Sequence, residues 1–214
     1  MEQQRRILGD LNYETLCTMK TLGNSLNGMG RHSQAEIVFR ECYEKQIRAL
    51  GSNNHETVQT LMNLASSVNA QDGRTRESEV LFKSALEKLS QVCGENHPLT
   101  IKCMVNLAIV YTTLEKFQLA ESSLKNAIAK QQTVLGSLHP DVCQSMCALA
   151  NAYSIQDKLV EAEKLFKECL VMQKSLGNDH PHVLTTKINY SVLLMKTGRI
   201  QEYELMMDSI KKKN

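Results

Sequence analysis

Apolar residues recur along this chain at the three-and-four spacing of helix faces, and that pattern itself repeats about every 42 residues. Gly9, Gly51, Gly94, Gly136 and Gly177 each follow an apolar run and open a short polar segment, at intervals of 42, 43, 42 and 41 residues. Thirteen residues after each Gly stands a large residue (Leu22, Leu64, Leu107, Leu149, Tyr190), and directly after it a small one (Gly23, Ala65, Ala108, Ala150, Ser191). Four further on come Leu26, Val68, Tyr111, Tyr153 and Leu194, which completes one face of an amphipathic helix. A second helix follows in each unit. It carries Ala35, Ser78, Ala120, Ala162 and Tyr203, then Phe39, Phe82, Leu124, Phe166 and Met207, then Cys42, Ala85, Ala127, Cys169 and Ile210.

Small side chains at one turn and large ones at the next let helix axes approach to ~8–10 Å while the gaps stay filled. Each unit is therefore an antiparallel helix pair. One pair cannot bury its apolar faces alone, so neighbours must stack, and the predicted fold is an all-α right-handed superhelical solenoid. The units are 9–50, 51–93, 94–135, 136–176 and 177–214, in one continuous domain. Residues 1–8 align with the end of a preceding second helix, so the chain is expected to begin mid-repeat, as part of a longer array or with a short native cap. The extra residue behind the 43 interval falls in Ala70–Arg76, the turn between helices. Glu36, Glu79, Glu121, Glu163 and Glu204 are expected in the first turn of the second helices, against the positive end of the helix dipole.

The order Leu-small, aromatic or apolar, Ala, Phe, Ala resembles the tetratricopeptide repeat. With ~42 residues instead of 34, Leu135-Gly-Ser-Leu-His-Pro140 and Leu176-Gly-Asn-Asp-His-Pro181 between units, and Asn-Leu-Ala in the first helix, it is most similar to the kinesin light chain type. The resemblance implies that first helices line a concave face toward which the residue before the large Leu points: Thr21, Asn63, Asn106, Ala148 and Asn189. Asn24 and Asn151 recur on a neighbouring line of that face. Asn costs roughly 0.5 kcal/mol relative to Ala inside a helix, so its carboxamide needs a compensating partner. That partner is either the backbone of a bound extended peptide or the adjacent helix. Similar chaperone-cofactor arrays hold acidic C-terminal tails, and Lys20, Asn24, Asn63 and Lys102 stand at matching places, with Asn106 where such arrays have Arg.

Charge narrows the partner. Twenty-five basic against twenty-three acidic side chains leave +2, too little field for nucleic acid or an anionic membrane. Seven cysteines without a Cys-x-x-Cys pair fit neither a disulfide framework nor a zinc ribbon, and point to a reducing, cytoplasmic location. His55, His97, His139 and His180 form a row, three of them before Pro. Residues at equivalent places in stacked helices lie ~8–10 Å apart, so the row is expected not to converge on a metal. It is expected instead to close loops while Pro takes the first helical position. No nucleophile–base pair or phosphate loop occurs, and Gly23–Gly28 falls inside a helix.

The expectation is a non-enzymatic, cofactor-free scaffold that takes an extended, mildly acidic peptide of a protein partner on Lys20, Asn24, Asn63, Lys102, Asn106, Asn151 and Asn189. The rival expectation is a structural array that self-associates through its end repeats or convex face.

Overall fold

A computed structural model describes residues 9–174, 177 and 180–211; the expectation for residues 1–8 lies outside the described residues. Every regular element among the described residues is an α-helix. In chain order these are α1 (Tyr13–Gly28), α2 (His32–Leu50), α3 (His55–Asn69), α4 (Thr75–Val92), α5 (Pro98–Thr113), α6 (Phe117–Leu135), α7 (Pro140–Ile155), α8 (Leu159–Met172), α9 (Pro181–Lys196) and α10 (Ile200–Lys211).

The chain divides into two compact units, residues 1–114 and 115–214. In the first, successive helices from α1 to α5 pack on one another, and the first helices α1, α3 and α5 also touch side by side. In the second, α6 to α10 pack in succession and α7 touches α9. Both cores are built on the alternation of large and small. Phe39, Phe82, Leu124 and Phe166 are buried, as are Ala35, Ala85, Ala127 and Ala162 beside them. Cys42, Cys103, Cys143, Cys147 and Cys169 are buried thiols used as small core residues, and burial pushes the Cys42 thiol up to about 11. α10 departs from this pattern: none of its residues is buried, and Leu205 is 71% exposed.

The ends of the helices explain the Gly and His-Pro spacing. Asn12 and Asn54 cap α1 and α3 by accepting from the amides of Glu14 and Glu56, both at 2.9 Å. At the same register His97, His139 and His180 cap α5, α7 and α9 through Nδ1, which accepts from the amides of Leu99, Asp141 and His182. Pro98, Pro140 and Pro181 then open the helices, where a missing N–H costs nothing. His55 does not belong to this row. It is the first helical residue of α3, one place after the capping Asn54.

Between the helices of a pair, one residue takes a left-handed conformation. It is Gly30, Gly73 and Gly198 in three repeats, but Glu115 (φ 57) and Asp157 (φ 58) in the other two. A side chain there costs about 1 kcal/mol, partly offset because Gly loses more freedom on folding. Glu115→Gly is therefore expected to stabilise the chain by ~0.5–1 kcal/mol, raising the melting temperature by about 1–4 °C. Asp157→Gly should gain less, because Asp157 also pairs with Lys196 at 2.7 Å. Thermal scans of the two variants check this; a lowered midpoint for Glu115→Gly would show that the side chain stabilises its turn.

Candidate functional site

The first helices hold the expected site residues, and the structure sorts them into two groups. Asn24 and Asn63, on α1 and α3, face each other, with Asn63 Nδ2 donating to Asn24 Oδ1 at 3.0 Å. This is the bridge to the adjacent helix. One turn earlier on α1, Lys20 Nζ forms an ion pair with Glu56 and donates to Gln59 Oε1 at 2.9 Å. Its charge is met by its own chain.

The second group is Asn106 on α5 in the first compact unit, and Asn151 and Asn189 on α7 and α9 in the other. All three are half-buried, and their carboxamides make no hydrogen bond among the described residues. Lys102, one turn before Asn106, is exposed and equally unengaged. The same helices also show apolar side chains to solvent. Ile109 is exposed on α5, and Ile188, Val192 and Met195 form an exposed i, i+4, i+7 stripe on α9. Each unit thus presents amide donors and acceptors and exposed apolar side chains on its first helices, with no group among these residues poised for covalent chemistry.

The recurring Glu positions do something other than meet a helix dipole. Glu36, Glu79, Glu121 and Glu163 each lie in the second turn of their helix, not the first. Glu36, Glu121 and Glu163 reach into the following repeat. Glu36 is gripped by Arg74 of the next repeat's turn, together with Gln71 at 2.7 Å and Arg40 at 2.8 Å. Glu121 accepts from Lys158 at 3.2 Å and from the Tyr153 hydroxyl at 3.0 Å. Glu163 accepts from Arg199 at 2.8 Å and from the Tyr190 hydroxyl at 2.9 Å. Hydrogen bonds to the ionised form hold all three carboxyls down at about 2. For Glu36 the largest influence is Arg74; for Glu121 it is Lys125, ahead of Lys158; for Glu163 it is Lys167, ahead of Arg199.

The expected separation of the histidines fails in one place. His55 and His97 lie with ring centroids 5.9 Å apart, edge to face. The 8–10 Å rule applies to side chains at one register, whereas His55 stands one residue beyond the capping row and leans toward the loop that precedes α5. Cys93, at the C-cap of α4, shares that loop.

The model of the tetratricopeptide repeat matches residues 14–87 and 56–132, and a second model of the same repeat matches 142–182. Among solved structures, the chain is similar to the nearly identical TPR-like repeats of a kinesin light chain candidate from Podosopora anserina. That likeness has 22% identity and a TM-score of 0.70, over 92% of this chain and 93% of that one. It is similar to BtubC (BKLC) from P. vanneervenii at 19% identity and TM-score 0.73, over 93% of this chain and 79% of that one. The MamA protein aligns at 16% identity and TM-score 0.51, over 92% of this chain and 90% of that one. No curated protein matches the sequence.

Proposed function

Since this chain belongs to the tetratricopeptide repeat family, an all-α helical-repeat solenoid here of the kinesin light chain-like type, we propose that its first-helix face binds an extended peptide of a protein partner. Proteins of this family bind protein partners, and such scaffolds are typically non-enzymatic. Among the described residues no helix is long and apolar enough to cross a membrane.

The observation that carries the reading is the set of unengaged carboxamides of Asn106, Asn151 and Asn189 on first helices. Each can donate to a peptide carbonyl and accept from a peptide N–H, which recognises main chain without reading sequence. Asn24 and Asn63 contribute too, because their mutual bond uses one donor and one acceptor and leaves the remaining N–H groups free to face a ligand. Side-chain preference then comes from Ile109 and the α9 stripe, which take apolar residues, and from Lys102, which favours a carboxylate. With Lys20 neutralised by Glu56, the preference for acidic peptides rests on Lys102, and affinity should fall only about two- to threefold between low and high salt.

The rival reading, association through the ends or convex face, has the unburied α10 and the exposed Val160 and Val171 of the second helix α8 in its favour. An immobilised chain panned against a random peptide library separates the two. Each of Asn106→Ala and Asn189→Ala should weaken the selected peptide by about fivefold, one hydrogen bond apiece. Unchanged affinity in both, with binding of partner lost on changing Leu205 and Ile200 to Ser, would assign the function to the C-terminal end.

A further inference from the structure

His55, Cys93 and His97 bring their ligating atoms to within 4.8 Å of one another, and we propose that they form a surface site for a divalent zinc-like cation. His55 opens α3, Cys93 caps the C-terminus of α4 and His97 caps the N-terminus of α5, so a bound ion would tie one repeat's first helix to the loop of the next.

The three residues coincide through departures from the repeat. Where Cys93 precedes its loop Gly, the other repeats carry Leu8, Leu50, Leu135 and Leu176. Where His55 opens its helix, three repeats carry Pro98, Pro140 and Pro181 and the first carries Tyr13. Neither change improves the local fold. Cys is smaller and less apolar than the Leu it replaces, and His lacks the preset φ of Pro. What they add is chemical: both are metal ligands, both occur at the same junction, and His97 completes the set.

Two imidazoles and one thiolate with water in the fourth position make a tetrahedral borderline-soft site, suited to Zn²⁺ over Mg²⁺ or Ca²⁺. Bonds of ~2.0–2.3 Å put ligand atoms roughly 3.5 Å apart in such a site, a closure of about an ångström from the present spacing. Side-chain rotation in partly exposed residues supplies that. The Cys93 thiol releases its proton to solvent on binding. The Glu56 carboxylate lies 3.8 Å from His55 Nδ1, which favours the proton there and leaves Nε2 for the ion. His97 gives up more, because its Nδ1 accepts from the Leu99 amide at 3.2 Å. Coordination through Nε2 places a proton on Nδ1 and breaks that cap, so one hydrogen bond is exchanged for three metal bonds.

The test uses the full chain, reduced and stripped of metal, titrated with Co²⁺ alone. The expected result is saturation at one ion per chain, with a thiolate-to-cobalt charge-transfer band that Zn²⁺ displaces, and a Zn²⁺-dependent rise in melting temperature. His97→Asn removes the ligand and keeps the cap, since Asn12 and Asn54 cap α1 and α3 from the same place. It should keep the helix content and weaken Co²⁺ binding by at least ~100-fold. Cys93→Ser should abolish the charge-transfer band. No saturable binding, or a band that persists in both variants because another of the thiols carries it, would overturn the proposal.

Discussion

Replacing Phe39 by Ala should lower the unfolding free energy by ~3–5 kcal/mol, among the largest effects a single change in this chain can have. The ring is fully buried between α1 and α2, so its loss removes both transfer energy and the packing of a close helix crossing. Gly23 is the reason the crossing is so close. A Cβ at Gly23 would lie 2.6–2.9 Å from three atoms of the Phe39 ring, where real contacts do not occur. The equivalent Ala65, Ala108 and Ala150 coexist with Phe82, Leu124 and Phe166, so in the first pair the ring takes the space that a Cβ fills in the other three. Gly23→Ala should therefore cost ~1–3 kcal/mol by overpacking, and should be nearly silent once Phe39 is Ala. Urea denaturation of the two single variants and the double variant measures this coupling. Additive effects would show that residue 23 and the ring are independent and that the close crossing is not what excludes Ala.

Acid should unfold the chain through the three carboxylates that bind the next repeat. Glu36, Glu121 and Glu163 are held at about 2 in the folded chain, against ~4.3 when unfolded. Between those values the unfolded state binds more protons, so stability rises with pH there. The contribution is complete above about pH 5, is lost as pH falls toward 2, and is absent below it. Each side chain is less than a third exposed, and after solvent screening each should contribute ~1–2 kcal/mol, roughly 3–6 kcal/mol in sum. Denaturant midpoints measured from about pH 7 to 2 should fall steeply below 5. Glu163→Gln should flatten about a third of that slope; an unchanged slope would mean that other carboxylates set the acid limit.

The helix pairs were legible because burial repeats locally. Ala35, Phe39 and Cys42 stand three and four residues apart, and an equivalent buried triplet recurs in the first four units, so their core can be read from one chain without knowing what lies beside it; the same register in α10 is not buried. Pro98 after His97 was equally readable, since capping involves neighbours two residues apart. What the pattern hid are partners in the next repeat. Glu36 looked like a helix-dipole residue because Arg74, 38 residues on, belongs to the next repeat's turn. Lys20 looked like a free cation because Glu56 sits on the adjacent first helix. A signal existed for the glutamates: Glu121 to Lys158 and Glu163 to Arg199 repeat nearly the same separation as Glu36 to Arg74. His55 shows the error of reading a row by residue type. Counting from Gly51 puts Asn54, not His55, at the capping place, and the offset of one residue is what turns His55 toward His97.

The Glu-to-turn contacts also set where the array can be cut and rejoined. Each carboxylate belongs to one repeat and one of its cations to the next, so a repeat excised at its Gly keeps only the same-helix partners, Arg40, Lys125 or Lys167, and loses the bond that crosses the junction. The junctions are not equivalent, since Arg74 grips Glu36 with two nitrogens whereas Lys158 offers Glu121 a single ammonium. Repeats of this chain are thus keyed to their order, and a shuffled or shortened array would need its edge charges rewritten before it could be as stable as the parent.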